Sequence, residues 1–215
     1  MHLFETPLWA SLLTVTGVWL VTVLSPGPNL LATLHAAVSH SRRSGVLVAG
    51  GIAVGTTLWA AASLLGLAVL FQSAGWLYHT IRFIGAGYLI YVGIRMVLAA
   101  RQATPPTLAG TLAGRNPITG WAAFRRGLLT DLSNPKAAAF FTSLFAVAVP
   151  PAAPLWFDIT IIAVVVAIAG GWYAVAACLI RTACLQALYR RAQKAIAYLA
   201  GTIFVGFGLR LAAER

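Results

Sequence analysis

Charge is what this sequence has least of: 9% of its 215 residues are charged and only four are acidic, against roughly a quarter charged in an ordinary soluble domain. Water is therefore not its main solvent. Cysteine is nearly absent as well, and the spacing of Cys178 and Cys184 matches neither a CxxC redox pair nor a metal site, so both read as small helix-packing residues. No HExxH, GxSxG or CxxC motif occurs, and His2, His35, His40 and His79 are scattered near the ends of apolar stretches, which leaves an intramembrane enzyme without a catalytic constellation. An exporter of metal or other inorganic ions needs clustered carboxylates or soft ligands inside its apolar segments, and only Asp131 answers that description. The opening residues MHLFETPLWA lack the basic n-region of a cleaved signal peptide, and the apolar stretch beyond them is too long for an h-region. The first apolar stretch is thus expected to stay.

What the chain does have is apolar length: 60% of its residues are hydrophobic, Gly45 to Phe71 runs 27 residues without a charge, and Ile159 to Ile180 runs 22. A hydrocarbon core is crossed by about 20 apolar residues at 1.5 Å rise. Six apolar segments can be drawn, at 7–34, 45–71, 77–99, 120–149, 156–180 and 195–213, of which the third and sixth need snorkelling ends because Arg82, Arg95, Lys194 and Arg210 bracket them. The net charge of +11 would suggest nucleic acid only on a soluble module with a basic face. Here no nucleic acid is implied, because the charges cluster between apolar spans. The loops after the first, third and fifth segments hold Arg42, Arg43, Arg95, Arg101, Arg115, Arg125, Arg126, Arg181, Arg190, Arg191 and Lys194, against Arg82, Arg210 and Arg215 on the opposite side. The positive-inside rule then places those loops in the cytoplasm and both termini outside. Trp9, Trp76, Tyr78 and Trp156 fall near the outer interface and Trp121 near the inner one, as aromatic belts require.

The segment from Arg101 to Arg126, with Thr104-Pro105-Pro106 and Asn116-Pro117, reads as one long linker. It gives the organisation 1–99, a first three-helix repeat; 100–119, a cytoplasmic linker; and 120–215, a second repeat. Each half has an odd number of spans, so the second lies upside down relative to the first. Pro28 matches Pro135 at an offset of 107, Trp59 matches Trp172 at 113, and Gly93-Ile94-Arg95 matches Gly208-Leu209-Arg210 at 115. The expected fold is an all-α integral membrane protein of six transmembrane helices, with the first and fourth broken at Ser25-Pro26-Gly27-Pro28-Asn29 and Ser133-Asn134-Pro135-Lys136. Proline supplies no N–H and obstructs the bond to the preceding turn, leaving backbone groups that lipid cannot satisfy. Pro28 and Pro135 suit the first position of a new half-helix, with Gly27 or Asn134 capping before it. Free N–H groups at Asn29 to Leu31 and Lys136 to Ala138 would then offer positive dipole ends to a substrate carboxylate near the midplane. Simple kinking of packed helices is the alternative, since proline is common in transmembrane helices.

Asp131 and Lys136 are opposite charges within one span, and an ionisable group at membrane depth is by default a functional candidate; a structural Asp131–Lys136 pair is the competing reading, and both roles can coexist. Trp59 and Trp172 are candidates for cavity walls, with lipid-facing packing as the alternative. Gly50, Gly51, Gly55, Gly85, Gly87, Gly93, Gly201, Gly206 and Gly208 read as small-residue helix contacts.

Together SPGPN, AVSHSRRSG, GIAVGTTLWA, GAGYLIYVGIRM and FRRGLLTDLSNPKAAAFF resemble the lysine exporter and homoserine/threonine exporter (LysE/RhtB) family over nearly the whole chain, in detail most like its threonine-exporter branch. The paired PGP and NPKA motifs carry the resemblance. It implies a bacterial inner-membrane secondary transporter, not an enzyme, that exports small amino acids on the proton gradient with no organic cofactor. Its partners would be the amino acid, protons and the lipid bilayer, and a homo-oligomer is compatible with it. The substrate-binding residues expected are Pro26, Gly27, Pro28, Asn29, Trp59, Asp131, Asn134, Pro135, Lys136 and Trp172. At position 131 the family often carries asparagine, within an NLxNPK pattern, and here the residue is Asp131.

Overall fold

A computed structural model describes residues 8–73, 75–102, 118–150, 153–179 and 183–213. Those residues form eight helices and no strand: α1 (Leu8–Leu24), α2 (Pro28–Ser39), α3 (Arg42–Ser73), α4 (Gly75–Gln102), α5 (Gly120–Leu132), α6 (Pro135–Ala148), α7 (Leu155–Leu179) and α8 (Ala183–Ala213). Both expected breaks are present. α1 and α2 are bent by 49° across Ser25-Pro26-Gly27, and α5 gives way to α6 at Ser133-Asn134. Most of the linker, 103–117, lies outside the described residues, as do Arg115 and Arg181.

By length and composition, Arg42–Gly66, Leu155–Leu179 and Arg191–Leu209 are each sufficient to cross a membrane, and the bent pair α1–α2 makes a fourth unit. The remaining apolar stretches are shorter, Phe83–Leu98 in α4 and Lys136–Ala146 in α6. The helices also overrun the apolar segments. α2 continues to Ser39 and α8 begins at Ala183, so Arg190, Arg191 and Lys194 stand on a helix and not in a loop, as do Arg95 and Arg101 on α4 and Arg125 and Arg126 on α5. The backbone keeps its own hydrogen bonds past the apolar boundary, while side chains alone mark where water begins. Cys178 is exposed on α7 and packs no interface. Trp9, Trp121 and Trp156 are exposed; the side chains of Trp76 and Tyr78 lie outside the described residues.

Close backbone approaches fix the helix directions. Gly45 of α3 faces Ala177 of α7, and Gly170 of α7 faces Ala53 of α3, so these two helices are antiparallel. Gly93 of α4 faces Gly201 of α8, and Gly208 faces Ala86, so that pair is antiparallel too. α5 runs parallel to α3, with Gly120 beside Leu47, Gly51 against the carbonyl of Phe124 and Gly55 against Asp131. The start of α3, the ends of α4 and α7 and the starts of α5 and α8 consequently share one end of the bundle, and Arg42, Arg43, Arg101, Arg125, Arg126, Arg191 and Lys194 gather towards it.

The α4–α8 seam needs glycine. A Cβ at Gly93 would lie 2.6 Å from the Gly201 carbonyl oxygen, one at Gly201 2.7 Å from the Gly93 oxygen, and one at Gly208 2.7 Å from the Ala86 oxygen. Lipid supplies no hydrophobic drive for helix association, so close packing of small residues carries it. Gly50 makes only an ordinary contact at 3.9 Å, and Gly87 and Gly206 meet nothing within 4 Å; these three are not seam residues. Around Trp19 the core is aromatic, with Phe140 at 4.6 Å and Phe141 at 4.8 Å between ring centroids. The Trp19 indole N–H donates to the Val165 carbonyl at 2.7 Å, tying α1 to α7.

The breaks obey the hydrogen-bond arithmetic of proline, which withholds the N–H due to the carbonyl four residues back. Pro26 leaves the carbonyl of Thr22 without its helical partner, and Lys136 Nζ, from the other break, donates to it at 3.2 Å. Pro135 leaves the carbonyl of Asp131, and there the Trp59 indole N–H of α3 donates at 3.1 Å, beside the Asn134 N–H at 3.0 Å.

Two outcomes are expected for stability. Gly93→Leu or Gly201→Leu should lower the melting temperature of the purified protein in detergent, by the equivalent of about 1–3 kcal/mol of overpacking, whereas Gly206→Leu should shift it by less than about 0.5 kcal/mol. Trp59→Phe keeps the ring and removes the donor, leaving the Asp131 carbonyl with the Asn134 N–H, so it should cost about 0.5–1.5 kcal/mol, the worth of one hydrogen bond; Trp172→Phe, whose indole nitrogen has no partner, should melt like wild type.

Candidate functional site

Where the two broken helices meet, their polar residues bond to each other. Gly27 is the N-cap of α2, extended at φ −169° and ψ 178°, with Pro28 in the first helical position and no side-chain cap. Asn134 is the N-cap of α6; its side-chain oxygen accepts from the Lys136 N–H at 3.0 Å, and Pro135 follows as the first helical residue. With no cap to make, Asn29 turns its side chain across the bundle. Its Nδ2 donates to Asp131 Oδ1 at 2.5 Å, and its Oδ1 accepts from Asn134 Nδ2 at 3.3 Å. One amide therefore joins α2 to both sides of the second break. Thr33 Oγ1 in turn donates to the Asn29 carbonyl at 2.9 Å.

Asp131 is fully buried. A charge at such a place is costly unless it is hydrogen-bonded, and the Asn29 amide is the partner present. The carboxylate lies in the space left by a missing side chain: a Cβ at Gly55 would come within 2.7 Å of Asp131 Oδ2. That second oxygen lies beside the buried hydroxyl of Thr56 on α3, the side-chain donor next to it.

A cavity of about 20 Å³ opens on the other side of Asn29, lined by Trp19, Thr22, Ser25, Gly27, Asn29, Asn134, Lys136 and Tyr173 among others. That is room for a water molecule and not for a solute the size of an amino acid. Its wall is polar at one end, with Lys136 Nζ and Asn134, and aromatic at the other, with Trp19 and Tyr173.

The structure thus brings Gly27, Asn29, Asn134 and Lys136 to the cavity and sets Asp131 behind Asn29, with Pro26, Pro28 and Pro135 shaping the backbone. Three expectations need correction. Asp131 and Lys136 form no ion pair; their bonds go to Asn29 and to the Thr22 carbonyl, because α5 and α6 point the two side chains to different sides of the break. The amides of the second break are closed: Asn134 takes Lys136 N–H on its side chain and those of Ala137 and Ala138 on its carbonyl. At the first break Leu31 bonds to the Gly27 carbonyl, which leaves only Asn29 and Leu30 of the expected nest. Of the two tryptophans, Trp59 caps the Asp131 carbonyl and Trp172 packs partly buried against the core; neither lines the cavity.

The wall residues Trp19, Thr22, Ser25 and Tyr173 were not anticipated from sequence. Thr22 was legible in principle, as the carbonyl four residues before Pro26. Tyr173 adjoins the matched Trp172, but nothing in the sequence says which of two neighbouring aromatic residues faces inward.

Comparison with known proteins agrees with this geometry. Residues 20–215 match the family described as LysE type translocator. The chain is 35% identical over 94% of its length to the threonine efflux protein of Salmonella typhi, covering 97% of that protein. It is 34% identical to the threonine efflux protein of Escherichia coli K12, with 94% and 98% covered. With the leucine efflux protein of Salmonella choleraesuis it shares 31% identity, with 88% and 89% covered. No solved structure matches the chain. A family match over almost the whole sequence, including both proline breaks and the residues that join them, makes this chain a member of the LysE type translocator family.

Proposed function

We propose that the protein exports small amino acids of the threonine and homoserine kind across the bacterial inner membrane, by exchange for protons. The observation that carries this reading is the junction at Asn29, where two broken helices bring an ammonium group and two amides to one cavity and bond a buried carboxylate directly behind it. Relatives named as threonine and leucine efflux proteins cover the same length of chain. Thr22, Ser25, Asn29 and Asn134 along the wall favour a hydroxyl-bearing side chain over the purely apolar one of leucine, because a polar wall loses its hydrogen bonds to an apolar guest.

The frame of this reading is six spans in two inverted halves, 1–99 and 120–215, joined by the linker 100–119, with the basic end in the cytoplasm and both termini in the periplasm. Its support is the α4–α8 seam. Gly93 meets Gly201 and Val205, and Gly208 meets Ala86 and Ile90; adding the offset of 115 to one member and subtracting it from the other turns each set of contacts into the other. Because α4 and α8 are antiparallel, the operation that exchanges them inverts the chain.

In the transport step, an incoming carboxylate takes Lys136 Nζ from the Thr22 carbonyl, while Asn29 senses the cavity on one side and holds Asp131 on the other. A zwitterion has no net charge, so the membrane potential alone does little for it. Each proton entering in exchange contributes about 2.3 kcal/mol per 100 mV.

Several outcomes test the reading. Cells loaded with threonine, homoserine or leucine dipeptides should export the first two amino acids faster when the protein is present; equal rates with and without it would end the proposal. A C-terminal alkaline phosphatase fusion should be active and a C-terminal fluorescent protein dark. Pro28→Ala and Pro135→Ala should each reduce export more than they reduce the amount of protein in the membrane. Asp131→Asn should leave transport that no longer responds to an uncoupler; unchanged rate, affinity and uncoupler sensitivity would exclude Asp131 from both coupling and binding.

A further inference from the structure

Helical serine and threonine normally return their hydroxyl to the carbonyl four residues back. In this chain Thr22, Thr33, Thr57, Thr130, Thr142 and Thr160 all do so, at 2.7–2.9 Å. Thr56, Ser63 and Ser143 do not. They are 0%, 5% and 2% exposed; Thr56 lies beside Asp131 Oδ2, and the hydroxyls of Ser63 and Ser143 have no hydrogen-bond partner. A buried polar atom left bare is costly, and its usual partner is internal water.

Their places form a line. Thr56 adjoins Gly55, whose missing side chain makes room for Asp131 Oδ2. Ser63 is two turns further along the same face of α3, about 10 Å on. α3 ends at Ser73 and α4 begins at Gly75, so Ser63 and Gly85 stand equally far from that turn, about 15 Å at helical rise. A Cβ at Gly85 would meet Ser143 Oγ at 2.6 Å, which puts Ser143 at the depth of Ser63, where α3, α4 and α6 pack together. The line leads away from the basic end of the bundle and leaves Asp131 on the side opposite the substrate cavity.

We propose that Thr56, Ser63 and Ser143 hold a file of water molecules that carries protons from the outer side to Asp131 Oδ2, separate from the substrate cavity, from which Asn29 divides it. This rests on the antiport reading above. A proton passes along the file to the carboxylate, giving the neutral acid, and returns the carboxylate when it is released inward; no other reactant is needed.

The test uses the full protein in proteoliposomes. Two fluxes are measured: threonine exchange at equal concentration on both sides, which needs no net proton movement, and uphill threonine accumulation driven by an imposed pH gradient. Thr56→Val, Ser63→Ala and Ser143→Ala should keep exchange within twofold of wild type and lower gradient-driven accumulation on the order of tenfold. Ser63→Cys, in a background with Cys178→Ala and Cys184→Ala, should lose gradient-driven transport when silver ion is added on the outer side. Wild type without gradient-driven transport would overturn the antiport reading, and the file with it. Gradient-driven transport in wild type that persists undiminished in all three hydroxyl variants, with Ser63→Cys indifferent to silver, would overturn the file alone.

Discussion

The polar contacts at the centre of this protein follow from the peptide hydrogen bonds that proline refuses to make. Pro26 and Pro135 each strip a carbonyl of its helical donor inside an otherwise apolar bundle, where lipid offers no replacement. The replacements come from distant side chains, Lys136 for Thr22 and Trp59 for Asp131. Each break is thereby tied to a different part of the chain, and Asn29 adds the direct link between them. A broken helix is normally a weakness; two breaks that satisfy one another become a hinge with a defined resting arrangement.

The α4–α8 seam is the counterpart of that hinge. It has almost no polar content and depends on two backbones touching at Gly93, Gly201 and Gly208. Such a contact resists sliding, because any side chain brought into register would collide with a carbonyl. α3 has a similar relation to α5 through Gly51 and Gly127, but there the same approach also seats Asp131 against Gly55. The bundle is therefore stiffest along its small-residue seams and adaptable at its proline breaks, a division that suits rigid bodies moving about a central site.

Much of this was legible in the residues themselves. Proline position gave the breaks, Gly27 and Asn134 their caps, and the charge distribution the common end of the bundle. Helix ends were less legible, because Arg190, Arg191 and Lys194 mark where the apolar surface stops and not where the helix stops. The Asp131–Lys136 pair illustrates another limit. Five residues apart on an unbroken helix, they would project about 140° from one another; the break between them changes that angle, and only coordinates report by how much. Matched tryptophans misled for a related reason. Repetition in sequence made Trp59 and Trp172 equivalent, yet only the second break, with Asp131 before its proline, offers Trp59 a carbonyl to cap.

On the exchange proposed above, the position of Asn29 bears on how export and proton entry would be coupled. Asp131 has one oxygen bonded to Asn29 and the other turned towards Thr56, so it has a face towards the substrate cavity only through that amide. Lys136, by contrast, lines the cavity directly. The cavity and the buried carboxylate are thus adjacent and not shared, and the same amide is bonded to one and lines the other. On the proposed exchange, a substrate that pulls Asn29 or Asn134 into the cavity would disturb the bond to Asp131 Oδ1, and any coupling between the two places would act equally in both directions. Asparagine in place of Asp131 would keep an acceptor for the Asn29 amide and lose the titrating group, so in this chain the hydrogen-bonded junction and the carboxylate are separable features.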